Sequence, residues 1–117
     1  MNFLPFFILF ASSAAAINIT ITSPTSRDVW RIGEKRSVIW NTDDLNSTGR
    51  ITLASDSLPK VPSYNALVLV PSVNLADSIA EVTVPSVPTP LDNYYIVIWT
   101  SPQLQDAYSG KRFAIES

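Results

Sequence analysis

Hydrophobic and polar positions alternate with period two in short runs along much of the chain. In Ile17-Asn18-Ile19-Thr20-Ile21-Thr22 three isoleucines share one face and Asn or Thr the other, as a half-buried strand requires. Ser23-Pro24-Thr25-Ser26 ends that run, and Trp30-Arg31-Ile32-Gly33 reads as a turn-like segment. Residues 36–40 predict a second strand with Val38 and Trp40 in phase. After a polar loop over 41–49, residues 50–54 predict a third with Ile51 and Leu53 inward. Pro59 and Pro62 keep residues 56–65 out of the middle of a sheet. Residues 66–70 form a short apolar run, 74–80 suit a helical turn, and 80–84 alternate again. Residues 94–100 are apolar on both faces, which predicts a central strand covered on both sides. Residues 111–115 close the chain with Phe113 and Ile115 in phase.

These strands are punctuated by nine prolines, and no window of helical length keeps a 3.6-residue period. The expectation is an all-β fold, an immunoglobulin-like antiparallel β-sandwich of about seven strands. Its core is expected to include Trp40, Tyr94, Phe113 and Ile115, with Tyr94 placed like the tyrosine of a tyrosine corner.

Residues 1–16 stand apart from this pattern. Phe3 to Phe10 are an apolar block, and the Ala/Ser tract to Ala16 supplies small residues of the kind a signal peptidase cleaves after. The block is shorter than the roughly 20 apolar residues of a membrane span. It is read as a signal peptide, 1–16, leaving a mature domain over 17–117, secreted and with no membrane span. Two Asn-x-Ser/Thr sequons, at Asn18 and Asn46, then become candidate N-glycosylation sites.

Composition narrows the chemistry further. The chain has no Cys and no His, which removes disulfides, thiolate or imidazole metal sites, and the Ser–His and Cys–His pairs. A formal net charge of −2, without a run of Lys or Arg, argues against nucleic acid as a partner. The acidic residues sit mostly beside turn residues, where Asp makes Asx turns, whereas a glycosidase needs two facing carboxylates. The expectation is therefore no catalytic residues, no metal ligands and no cofactor.

The strands and turns carry a family resemblance. Ile21-Thr22-Ser23-Pro24, Trp30, Gly33, Val38-Ile39-Trp40, Leu75-Ala76, Val82-Thr83-Val84-Pro85, Tyr94, Tyr108-Ser109-Gly110 and Phe113-Ala114-Ile115 occur in an order and spacing that resembles the fungal Kre/Knh-type cell-wall synthesis N-terminal domain, also found in Ser/Thr-rich GPI-anchored membrane proteins. The resemblance spans nearly all of 17–117 and implies an immunoglobulin-like sandwich, an extracellular or cell-wall location and a link to β-glucan assembly. It implies no catalytic residue. The chain departs from the pattern in having no long Ser/Thr-rich tail and in its Pro59/Pro62 loop.

A secreted, non-catalytic wall module is the resulting expectation, with β-glucan or a wall protein as partner. Trp99, Tyr95 and Trp30 are its candidate glycan contacts, since an aromatic face packs against the C–H patches of a sugar ring; Trp30 is read alternatively, and by preference, as capping the sandwich end, and Trp99 alternatively as core. Tyr64 and Tyr108 are further aromatics that a surface contact would use. The alternatives are a structural or protein-interaction domain of effector type without carbohydrate affinity, and a small glycoside-active enzyme.

Overall fold

The computed structural model describes residues 18–43, 45–56, 67–87, 91–100 and 106–117. The expected signal peptide and the Pro59/Pro62 loop lie outside the described residues, as do Asp44 and Tyr64. Nine strands are described: β1 (Ile19–Ser23), β2 (Val29–Arg31), β3 (Lys35–Thr42), β4 (Thr48–Ser55), β5 (Val68–Asn74), β6 (Ile79–Thr83), β7 (Leu91–Thr100), β8 (Ala107–Ser109) and β9 (Phe113–Glu116). The ambiguous stretch between β5 and β6 is a 3-10 turn, Leu75–Asp77. Among the described residues no helix is long and apolar enough to cross a membrane.

Two sheets form. The smaller has the order β1-β3-β6, and the larger β2-β9-β7-β4-β5, with β8 paired to β7 alongside β9. Strands divided between two sheets in this way, most of them beside partners that are not consecutive in the chain, make an immunoglobulin-like sandwich. The sequence pattern predicted about seven antiparallel strands. The two additions, β2 and β8, have three residues each, too few to display alternation, and β2 runs parallel to β9. The chain passes from the smaller sheet to the larger between β1 and β2, so one sequence segment edges both sheets.

Alternation explains the core. From β4 and β7, Ile51 pairs with Ile98 and Leu53 with Ile96, and all four side chains are fully buried between the sheets. Facing them from the smaller sheet are Val38 and Trp40 of β3, also fully buried. Burying an indole requires a partner for its N–H. Trp40 Nε1 donates to the Leu75 carbonyl at 2.9 Å, so the 3-10 turn closes the core at that point. Tyr94, Phe113 and Ile115 are buried as well.

Two glycines serve the backbone. Gly33, with φ of 86°, turns the chain from β2 into β3, and its N–H donates to the Val84 carbonyl at 2.9 Å. Gly49 sits where β4 approaches β7: a Cβ there would lie 2.8 Å from the Trp99 carbonyl oxygen and 3.0 Å from Leu75 Cδ2. Pro71 lies in β5, an edge strand, where a missing N–H is tolerated.

Candidate functional site

β7 is central in the larger sheet, with β4 on one side and β8 and β9 on the other. Its inward residues build the core, so period-two geometry turns Tyr95, Val97 and Trp99 to the outer face. The register sets Arg50 beside Trp99, Thr52 beside Val97 and Ala54 beside Tyr95. From β8, Ser109 lies beside Val97 and Ala107 beside Trp99. The outer face thus presents two half-buried aromatics flanking an apolar centre, with hydroxyls and arginines around it.

The centre of this face is closed to water. Val97 is only 4 % exposed and Thr52 not at all, although both point away from the core. Trp99 supplies part of the cover: its Nε1 donates to Thr52 Oγ1 at 3.1 Å, which ties the indole across the β4–β7 pair. A tied indole loses less rotamer freedom when a ligand packs on it than a free one would.

Tyr95 is fixed differently. The Arg112 guanidinium lies 4.5 Å from its ring centroid, a cation–π contact. Arg112 also forms a bidentate fork, with Nε on Asp56 Oδ2 and Nη2 on Asp56 Oδ1, both at 2.9 Å. The Asp56 hydrogen bonds and charge raise the Arg112 pKa further, so the guanidinium stays charged. One side of Tyr95 is therefore occupied by a cation held from β4 across β7. The four-residue step from Tyr95 to Trp99 spans roughly 13 Å along a strand.

The three aromatics expected as glycan contacts divide. Tyr95 and Trp99 share the outer face described above, whereas Trp30 does not. Trp30 is 1 % exposed, packed with its ring centroid 4.6 Å from that of Phe113 and with the Arg36 guanidinium 5.8 Å away. It is a core residue and no ligand reaches it. The turn-like reading of residues 30–33 missed that Trp30 pairs with Ile115 in the parallel β2–β9 ladder, which directs its ring inward. Tyr108 is half-buried and packs against the core, since β8 sets it beside inward-facing Ile98. Burial first, then Asp106 and Asp43, push its phenol upward.

Four residues of the face carried no sequence signal as a group: Arg50, Thr52, Asp56 and Arg112. The phase of Ile51 and Leu53 already placed Arg50 and Thr52 outward. Arg112 shows no local pattern that points to its partner Asp56, which is 56 positions away.

The acidic residues go to turns and pairs. Asp28 accepts the Thr25 N–H at 2.6 Å, and Asp43 accepts the Asn18 N–H in a long contact of 3.4 Å. Glu34 accepts from the Arg31 backbone N–H and from Arg36, both at 3.1 Å, and these bonds hold its carboxyl below the usual range. Among the described residues, no three His, Cys, Asp or Glu side chains gather around a common point. Asn18 and Asn46 are both exposed.

No protein-family model matches the chain, and no curated protein matches it. The likeness to the Kre/Knh-type domain therefore rests on the motifs quoted from the sequence.

Proposed function

We propose that this chain is a secreted, non-catalytic module of the fungal cell surface that binds β-glucan, or takes part in its assembly, through the outer face of the larger sheet. The observation that carries the proposal is Trp99, tied by its N–H to buried Thr52 in the same outward row as Tyr95. An indole held this way offers a flat apolar surface to sugar C–H groups. Arg50, Ser109 and the Asp56–Arg112 pair border the row with groups able to bond hydroxyls. The Kre/Knh-like motif order supports a wall polymer as the ligand class.

The test is retention of the purified protein on insoluble β-1,3- and β-1,6-glucan. Saturable retention is expected. Trp99→Ala should weaken it about tenfold, the equivalent of a stacking contact worth about 1.4 kcal/mol. Thr52→Val, which keeps the ring but unties it, should weaken it less. Equal retention of wild type and Trp99→Ala would remove this face from the proposal.

A second reading has its own observation. Ile39 and Ile79 are cross-strand partners on the outer face of the smaller sheet and are 37 % and 51 % exposed. An exposed apolar pair favours a protein-interaction domain. Failure to bind either glucan, with capture of a wall protein lost in Ile79→Lys, would select that reading.

A further inference from the structure

The two sequons converge on one corner of the sandwich. β1 runs antiparallel to β3 with Ile19 beside Thr42, so Asn18 comes level with Asp43, where the β3–β4 loop begins. That loop carries Asn46 and enters the larger sheet at Thr48. Its exit is anchored, since the Ser47 carbonyl accepts the Leu75 N–H at 3.0 Å. Asn46 is thus presented at a bend next to a fixed point, exposed to solvent. A glycan on a buried Asn would block folding, whereas Asn46 is exposed.

The same loop holds an apolar residue that the fold does not use. Leu45 is 67 % exposed and immediately precedes Asn46. A singly exposed apolar residue is ordinary on a protein surface, so what distinguishes Leu45 is its place directly beside a glycan acceptor. A glycan on the neighbouring side chain would cover it.

We propose that Asn46 carries an N-linked glycan that shields Leu45. The donor class is a polyprenyl-diphosphate-linked oligosaccharide. The bond formed joins the Asn46 side-chain nitrogen to the anomeric carbon of the first sugar. The bond broken joins that carbon to the diphosphate, which leaves as the anion, while the amide gives up one proton. The inference rests on the secretory part of the proposed function, and not on glucan binding.

The experiment expresses the full chain in a secreting yeast, in an Asn18→Gln background so that one acceptor remains. Medium and cell fractions are then compared by intact mass before and after peptide-N-glycosidase treatment. Secreted protein bearing one glycan, lost in Asn46→Gln, is the expected result. Secreted protein at the bare polypeptide mass overturns the proposal alone. Protein retained unmodified in the cytosol overturns the secretory reading and this proposal with it. For shielding, the Asn46→Gln protein should self-associate at lower concentration in analytical ultracentrifugation, and adding Leu45→Ser should reverse that. A glycan whose removal leaves self-association unchanged overturns the shielding role.

Discussion

Three tryptophans in one short chain have three different fates, each decided by the polar edge of the indole and by strand phase. Trp40 buries its N–H on the Leu75 carbonyl, Trp30 stacks on Phe113, and Trp99 lies outward with its N–H on Thr52. Trp30→Ala should cost about 3–5 kcal/mol of stability in urea unfolding, as large-to-small changes at buried aromatic sites do. A loss below 1 kcal/mol would show that the β2–β9 corner is not part of the cooperative core. Glu34 makes a pH argument at the same scale. Its folded pKa is lowered, first by the Arg31 N–H and then by Arg36. Its contribution is therefore present above the unfolded carboxylate value of about 4.3 and fades as pH falls through the folded value. The acid-side drop in Tm should be shallower in Glu34→Gln than in wild type; identical slopes would remove Glu34 from the acid response.

At the level of elements, the close approach of β4 to β7 is the feature that positions the outer face. It depends on Gly49, because a methyl there meets the Trp99 carbonyl oxygen and a core leucine together. Gly49→Ala should destabilise the domain by about 1–3 kcal/mol, the range of overpacking. The carbonyl belongs to Trp99 itself, so its backbone must yield, and tryptophan fluorescence should shift along with stability. Unchanged fluorescence and stability would mean that the strands separate at no cost. The longer strands were legible from alternation or, for β5 and β7, from short apolar runs, with ends displaced by a few residues. β2 and β8 were not, since three residues hold a strand only when a long neighbour already offers its edge. For that same reason the sequence left Trp30 between a glycan contact and a packing role, and burial decides for packing.

No disulfide staples the domain, and its pH dependence follows the groups whose pKa values folding shifts. Burial raises the pKa of Tyr94, and burial with Asp106 and Asp43 raises that of Tyr108. A raised phenol pKa stabilises the fold fully below the unfolded value of about 10, and that contribution is lost as pH rises through the folded value. Alkaline unfolding, followed by circular dichroism, should therefore coincide with the late part of the tyrosinate absorbance titration. Ionisation of all four tyrosines with the far-ultraviolet spectrum intact would contradict it.

Alternation of apolar and polar residues by itself determined the fold class, because a strand covered on one face must alternate whatever its neighbours are. It also assigned Val38, Trp40, Ile51, Leu53, Phe113 and Ile115 to the inside, while the run over 94–100, apolar on both faces, marked β7 as central. The absence of Cys and His settled which site chemistries the chain lacks before any fold was considered. Only the tertiary structure decided which tryptophan faces outward, and that Arg112 and Asp56 close over Tyr95. It alone brought Asn18 level with the loop that holds Asn46. Those are relations between residues far apart in the chain. They are set by strand register across the sheets, which short-range patterning does not encode.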